Sequence, residues 1–421
     1  MHRFVIFDDG KGRLDPLTDF RPAYGIRTGC LTTIERLTRT FGERPIGLWV
    51  PLGIRDLARA RSSDPVNPES LGSGNVTLVS GRCVLPPPGL SELLPGAWLV
   101  EEGTGDVVAG CLDAPGALRF LETGNRPAGT VMALPAPALL SRPWHVRSFR
   151  DRAIRADLDL LARPADPSRE SAGSDELFDR GGLELSPDAG TPQALVLPGH
   201  PVSIDPGAKV YPGSILDAEG GPIVIAAGAT IRPGAMLIGP CYVGPGSTVL
   251  ERATIRPFTA IGPSCKVNGE IGGTIFQGYA NKSHDGYLGD AFVGEWVNLG
   301  AGTTVSNLLN TYGEVVSKAS PKDGNERTGE LFLGPVIGDH VKTAISTRLM
   351  TGSVLATGGM FACTAAVSGA TRRFAWRTDN GEQEFRASKF IETAKTVMAR
   401  RRVEMHEAYA ARIRALYEGG E

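Results

Sequence analysis

Nothing in this chain pairs its cysteines. Six are scattered, at Cys30, Cys83, Cys111, Cys241, Cys265 and Cys363, with no Cys-x-x-Cys spacing among them. That argues against a zinc framework and a disulfide scaffold, and points to a reducing compartment. A dominant charge is missing too: 44 Lys+Arg stand against 46 Asp+Glu, a formal net charge of -2. No global field draws the chain to nucleic acid or to an anionic membrane. There is no apolar run of about 18 residues, the length a membrane helix needs. Asp8 and Asp9 arrive before any long apolar region, so no secretory leader is expected and the predicted location is cytoplasmic. What is present is ample apolar content, 41% of 421 residues, enough for two or three domains.

The apolar residues keep an unusual time. Ile225, Ile231, Leu237, Val243, Val249, Ile255, Ile261 and Val267 return every six positions. A small residue follows each of the first seven at four places: Ala229, Ala235, Cys241, Ser247, Ala253, Thr259 and Cys265. A period of six is neither helical nor that of an ordinary strand, and it is the mark of a hexapeptide parallel β-helix. In such a coil the aliphatic residue points inward and the small one fits a corner. The rhythm resumes at Tyr287, Val293, Leu299 and Val305, and again at Ile337, Thr343, Leu349, Leu355 and Phe361, with a lead-in at Ile204 and Val210. Two interruptions, 268–286 and 306–335, read as loops thrown out from one face. On this phase Tyr287 falls on an inward beat.

Four regions follow. Residues 1–163 alternate short apolar strands with helices, an α/β pattern. Phe4 to Phe7, Ile46 to Val50 and Val76 to Val79 read as strands. Leu31 to Phe41 reads as a helix, and Val146 to Ala162 as an amphipathic one with Ile154, Leu158 and Leu161 on one side. Residues 164–197 are a Pro/Ser/Asp/Gly-rich linker. The solenoid fills 198–370, and 371–421 is a helical extension, with Phe385 to Tyr417 as one long charged segment that caps the solenoid or clasps a trimer.

The first strand runs into Asp8-Asp9-Gly10-Lys11-Gly12-Arg13-Leu14-Asp15-Pro16-Leu17-Thr18. A glycine-rich loop in this place can cradle phosphate, because its N–H groups approach an anion closely. The segment resembles the signature loop of sugar-1-phosphate nucleotidyltransferases, with Gly10, Gly12 and Arg13 as phosphate-loop candidates. Three departures stand out. Asp8 and Asp9 replace small residues, the Thr before Arg13 is absent, and Pro22 is followed by Ala23 rather than Lys. Arg82, in Ser80-Gly81-Arg82, stands where that family carries its magnesium-binding Asp. The expectation is a nucleotidyltransferase-like domain kept for binding or scaffolding. No metal site is predicted, and Mg2+ is needed only if this domain is active. Arg21 and Arg27 are further candidates for a phosphorylated sugar, and Asp8, Asp9 and Asp15 are the candidate carboxylates of an active front pocket.

The densest chemistry lies in the solenoid: His284-Asp285-Gly286-Tyr287-Leu288-Gly289-Asp290, then Val297-Asn298-Leu299-Gly300-Ala301-Gly302-Thr303, then Asn307. In motif and spacing this resembles the acetyltransferase half of the bifunctional N-acetylglucosamine-1-phosphate uridyltransferase/glucosamine-1-phosphate acetyltransferase family, within a divergent subgroup of sugar nucleotidyltransferases. The resemblance implies a left-handed β-helix and a trimer with sites between adjacent solenoids, where loop 306–335 would complete a neighbour's pocket. It implies acetyl-CoA as co-substrate and His284 as the base that frees a sugar amine of its proton. It implies the Ala301 N–H as oxyanion donor, and Asn307, Asn298 and Tyr287 as sugar-contacting or base-orienting groups. Arg256 would bind the sugar phosphate. The family's phosphate-binding lysine has no direct counterpart, so Lys266 or Lys282 is expected in its stead. Asn298 has a second reading as a rung of an asparagine ladder, and Trp296 is expected at a subunit contact.

The function expected is acyl-CoA-dependent N-acetylation of an amino-sugar phosphate or nucleotide-linked amino sugar, as for a cell-envelope precursor. The alternatives are a sugar-1-phosphate nucleotidyltransferase with a structural solenoid, and a non-catalytic sugar-nucleotide-binding scaffold.

Overall fold

The computed structural model describes residues 2–162 and 194–419, so most of the expected linker lies outside the described residues. The front domain begins with β1 (Phe4–Phe7), whose four side chains are all buried. Helix α1 (Thr33–Phe41) starts on a capping box, with Thr32 and Glu35 bonding each other's backbone, and stops at Gly42, whose φ of 67° only glycine adopts cheaply. Then come β2 (Gly47–Trp49), α2 (Leu52–Arg61), β3 (Asn75–Ser80), β4 (Ala97–Glu101), β5 (Val107–Asp113), α3 (Ala114–Thr123), β6 (Thr130–Leu134) and α4 (His145–Ala162). The six strands form one mixed sheet in the order β2-β1-β3-β5-β4-β6. Helix α4 is tied to α1 by a buried ion pair, Arg36 Nε to Asp157 Oδ1 at 2.6 Å.

The solenoid is a parallel prism with three faces. The first stacks Leu195–Leu197, Ile215–Asp217, Met236–Ile238, Thr254–Ile255, Glu270–Gly272 and Tyr287–Gly289. The second is an eight-stranded sheet from Val202–Ile204 to Val354–Leu355. The third runs from Lys209–Val210 through Asn281–Lys282 to Lys342–Thr343 and Met360–Ala362. The eight aliphatic residues from Ile225 to Val267 are all wholly buried in one core.

Residues 268–286 are not an excursion. They form a shortened coil in which Ile271, Phe276 and Lys282 pair with Ile255, Ile261 and Val267 of the coil before. Two turns have lost residues, so the inward positions fall four, five and six apart. The next inward residue is therefore Leu288, fully buried and paired with Ile271, while its neighbour Tyr287 pairs with Glu270. Neighbouring strand residues face opposite ways, so Tyr287 looks outward, against the expectation. Segment 306–335 does leave the prism, through a small antiparallel ribbon at Val316–Ser317 and Glu326–Arg327. It packs on its own chain: Val315, Ala319 and Leu333 bury Trp144 at the start of α4.

The second face is apolar outside as well as inside. Val224, Tyr242, Ala260, Ile275, Phe292, Val336 and Val354 pack against Phe149, Ile154 and Leu158 of α4 and Leu14 and Leu17 of the front domain. Burying one such large side chain contributes about 1.5–3 kcal/mol. This face is taken by the chain's own front domain. Trp296 is also an internal residue, 3% exposed and stacked on Tyr279 at 4.4 Å.

The C-terminal region differs from one long helix. A hairpin, Ala375–Thr378 and Gly381–Glu384, continues the third face. Helices α5 (Ala387–Ala399) and α6 (Glu407–Glu418) then fold back onto the front domain, where Tyr409 stacks on Phe20 at 4.5 Å and Arg412 Nε donates to the Asp19 carbonyl at 2.8 Å. Front domain, solenoid and C-terminal helices meet around buried ions. Arg21 grips both Asp339 oxygens at 2.9 and 2.8 Å, and Arg61 reaches Glu295 at 2.8 Å. Burial would raise the Glu295 carboxyl, but Arg61 and Arg21 outweigh it and hold it well below its usual range.

His340 sits in this junction, wholly buried, sharing a 2.8 Å hydrogen bond with the Tyr409 hydroxyl. Burial holds its pKa well below the usual histidine value, aided by Lys342, Arg21 and Arg61. The ring is therefore neutral in the fold and takes a proton on unfolding. Its contribution to stability is complete above the unfolded value of about 6.5 and is lost as pH falls below it. Between pH 7 and pH 5 His340→Gln should therefore lose less melting temperature, or gain more, than the wild type, since Asp339, whose carboxyl burial raises to about 6, acts in the opposite sense in both proteins. An unchanged slope in thermal melts across this range would show that His340 is not the titrating group.

Candidate functional site

The front loop is the first candidate. Gly10 and Gly12 take φ of 65° and 82°, and a Cβ on Gly12 would press on the Ser141 backbone at 3.1 Å. The loop's charges are mostly paired within the chain. Asp8 accepts from Gly10 N at 2.9 Å and Ala23 N at 2.7 Å, and burial raises its carboxyl pKa. Asp9 takes both arms of Arg82, at 2.9 and 2.7 Å. Arg82 also reaches Asp106 at 2.7 Å, as does Lys11. Arg13 is paired with Asp323 of segment 306–335. A cavity of about 240 Å³ beside the loop is lined by Gly10, Lys11, Gly12 and Thr18, with Arg412 arriving from α6.

A divalent cation does not fit this donor set. The 1%-exposed Arg82 guanidinium already bridges the two carboxylates that would have to hold the ion. Among the described residues no cluster of three or more His, Cys, Asp or Glu has metal-binding geometry. Asp106 had no signal in the sequence, since it comes from the turn before β5, far from the loop. Arg21 and Arg27 are buried and paired with Asp339 and Glu35. Asp15 is exposed and lies 3.0 Å from Arg373.

The second candidate lies along the first face of the solenoid. Its far corner carries His284, exposed, on the turn 283–286. The next coil's corner holds Ala301 and stacks directly on it, Gly302 N donating to the Asp285 carbonyl at 3.1 Å. The Ala301 carbonyl accepts from Ser346 N at 2.6 Å, while its N–H has no partner among the described hydrogen bonds. Lys282, inside the prism, donates 2.9 Å bonds to the carbonyls of Asn268 and His284. Burial lowers its pKa to about 8. Lys282 thus pins the corner from within and is not presented to a ligand on the surface.

Along the face, Tyr287 lies over Gly289, where a Cβ would collide with the phenol. Asn307 Nδ2 contacts the Tyr287 hydroxyl at 3.0 Å and Asp290 Oδ2 at 2.7 Å. Arg256 pairs with Glu270 at 2.5 Å. Tyr287, Asn307, Asp290 and the Arg256–Glu270 pair therefore share one face. Two candidates stand elsewhere. Lys266 is exposed on the third face, in the row with Asn281 and Asn298. Asn298 Oδ1 accepts from Asn281 Nδ2 at 2.7 Å, the ladder arrangement. Asp290, Glu270 and the arginines of α4 that reach Asp290 were given no role by the sequence reading. Asp290 closes the Tyr-Leu-Gly-Asp run, but its partners Arg147 and Arg150 are some 140 residues away.

Comparison with known proteins bears on both candidates. Residues 4–165 match the family model described as sugar nucleotidyl transferase. The chain is 28% identical over 284 residues to the bifunctional protein GlmU of Sorangium cellulosum, covering 64% of this chain and 54% of that protein. It is 32% identical over 100 residues to the bifunctional sugar-1-phosphate nucleotidylyltransferase/acetyltransferase of Sulfurisphaera tokodaii, 23% of this chain and 24% of that one. Bifunctional protein GlmU of Rippkaea orientalis is 31% identical over 139 residues, 32% and 28% of the two chains. The matches thus span about half of the first relative's length and about a quarter of the other two. Likeness to the solved Arabidopsis UDP-N-acetylglucosamine acyltransferase is slight, with 10% identity and a TM-score of 0.18 over 44% of this chain and 70% of that one.

Gly289 gives a direct probe of this face. Its backbone is compatible with alanine, so the cost of Gly289→Ala is that of crowding the phenol, about 1–3 kcal/mol. It should displace the Tyr287 phenol and break its contact with Asn307. A crystal structure of the variant with that contact intact at about 3 Å would contradict the crowding described here.

Proposed function

We propose that this chain is an acyl-CoA-dependent N-acetyltransferase acting on an amino-sugar phosphate or a nucleotide-linked amino sugar. The observation that carries the reading is the stacked pair of corners. An exposed His284 stands on one, and the Ala301 N–H, without an internal partner, stands on the next, held by the 3.1 Å bond from Gly302 N to Asp285 O. The relatives' printed activities, nucleotidyl and acetyl transfer, lend support from sequence.

In this mechanism His284 takes a proton from the sugar ammonium, because only the free amine is a nucleophile. The nitrogen adds to the thioester carbonyl, and the oxyanion is met by the Ala301 N–H. Collapse expels the thiolate of coenzyme A, which takes the second proton from the nitrogen, so an amide and a thiol are left with the first proton on His284. Tyr287 and Asn307 line the face on which the sugar lies. Arg256 would hold the phosphate, which must compete with Glu270 for the guanidinium. Lys282 enters only by fixing the His284 corner. Acetyl-CoA is the donor in this reading, the enzyme works in the cytoplasm, and the first and third faces remain free for a homotrimer. No helix among the described residues is long and apolar enough to cross a membrane.

The front domain has a second reading: the match over residues 4–165 points to a sugar nucleotide, and the Arg82 bridge speaks for holding it without transferring it. With Arg82 between Asp9 and Asp106, transfer lacks the carboxylates a magnesium ion would need. Pyrophosphate release from nucleoside triphosphates with common sugar-1-phosphates should be negligible. Turnover in the ordinary enzyme range of ~1–1000 per second would instead make the front domain the active half.

For the solenoid, His284→Ala should lower acetyl transfer by roughly 100- to 10,000-fold, with acetyl-CoA binding nearly unchanged and the acid limb of the pH–rate profile gone. Near-native turnover on the acceptor would make His284 a structural corner residue. A thermal-shift screen of acyl-CoAs, nucleotides and sugar phosphates identifies the acceptor, since a true ligand raises the melting midpoint by mass action.

A further inference from the structure

Asp290 lies where three parts of the chain meet. It sits at the corner between the first and second faces, at the point where segment 306–335 returns. Its N–H donates to the Gly272 carbonyl at 2.9 Å, and its own carbonyl accepts from Gly334 N at 2.9 Å. Its carboxylate is divided between two tasks. Oδ1 accepts a hydrogen bond from Arg150 at 2.6 Å, while Arg147 Nε lies 3.0 Å away as an ion pair without hydrogen-bond geometry, both on front-domain helix α4. Oδ2 takes the Asn307 amide at 2.7 Å, and the same Asn307 nitrogen lies 3.0 Å from the Tyr287 hydroxyl.

The two arginines are well placed to act as a fixed frame. Arg150 is 6% exposed, bonds the Gly273 carbonyl and pairs with Asp151 at 2.7 Å. Arg147 also reaches Glu330 of the excursion at 3.6 Å. Helix α4 cannot drift, because Asp157 on it is locked to Arg36 and its apolar side is buried on the second face. The space between α4 and this corner is closed, with room for only about 10 Å³ among Trp144, Arg150, Gly273 and Phe292.

We propose that Asp290 is a positioning residue through which the front-domain helix sets Tyr287 and Asn307, so that the acceptor end of the solenoid site is formed only with the front domain seated. This rests on the reading of the first face as an acceptor site. A neutral amide at 290 keeps the shape but loses its charge pairing with two cations, and a carboxylate hydrogen-bonded to a buried guanidinium is far better oriented than a free one. The solenoid coils stand without Asp290; the orientation of Asn307 does not. A misplacement of about 1 Å in a positioned group costs on the order of 100-fold in rate.

The test compares the full-length wild type with Asp290→Asn and Arg150→Met. Hydrogen exchange read by mass spectrometry should rise at residues 285–291 and 304–310 in both variants, with α4 and the coils below unchanged. With acetyl-CoA and glucosamine-1-phosphate as the probes, the acceptor KM should rise about tenfold or more while the acetyl-CoA KM holds. Should Arg150→Met fail to fold, the isosteric Asp290→Asn carries the comparison alone. Unchanged exchange at 304–310 in Asp290→Asn overturns the proposal. Raised exchange there, from a wild type that transfers no acetyl group to glucosamine-1-phosphate, supports the positioning role and counts against the acceptor reading instead.

Discussion

The second face of the solenoid cannot meet water. Its strands are apolar on both sides, with Ile225, Val243 and Ile261 inward and Val224, Tyr242 and Ala260 outward. A sheet with two apolar faces must be covered on both. In this chain the cover is the front domain, through α4. That one docking event decides where the C-terminal helices go, since α5 and α6 fill the junction left between the covered prism and the front sheet. It also brings Arg147 and Arg150 to Asp290, and so ties the front domain to the corner beside Tyr287.

The two candidate sites differ in how their polar groups are spent. In the front loop nearly every charge meets another from the same chain: Arg82 between Asp9 and Asp106, Lys11 with Asp106, Arg13 with Asp323. A buried ion pair stripped of one partner leaves an uncompensated charge, which is strongly destabilising. A cation entering there must first break the buried Arg82 bridge. On the solenoid corner the reverse holds. His284 is exposed and the Ala301 N–H has no partner among the described hydrogen bonds, so neither is tied up by the chain itself.

Much of this was legible in advance, and the misses share one cause. The six-residue rhythm located the prism and its core from Ile225 to Val267 because each coil repeats the same local packing. Where two turns shorten, between Val267 and Lys282, the rhythm breaks although the coil does not, and the inward place passes from Tyr287 to Leu288. Period alone cannot show a deletion that pairing between stacked strands absorbs. Trp296 was expected outside and lies inside, because the residues that cover it, among them Tyr279 and His340, are assembled from other coils.

By itself the sequence determined what is local or periodic: the α/β front domain, the aliphatic column, and the spacing that puts His284 and Ala301 on successive corners. Those depend on side chains within one coil or one helix, and their signal lies within a few residues. The tertiary structure alone decided which face is covered, which charges neutralise one another, and that Asp290 answers to a helix in another domain. Arg82 with Asp106, Arg13 with Asp323 and Arg150 with Asp290 are pairs across long separations. Their physical basis is proximity after folding, and no pattern along the chain encodes it.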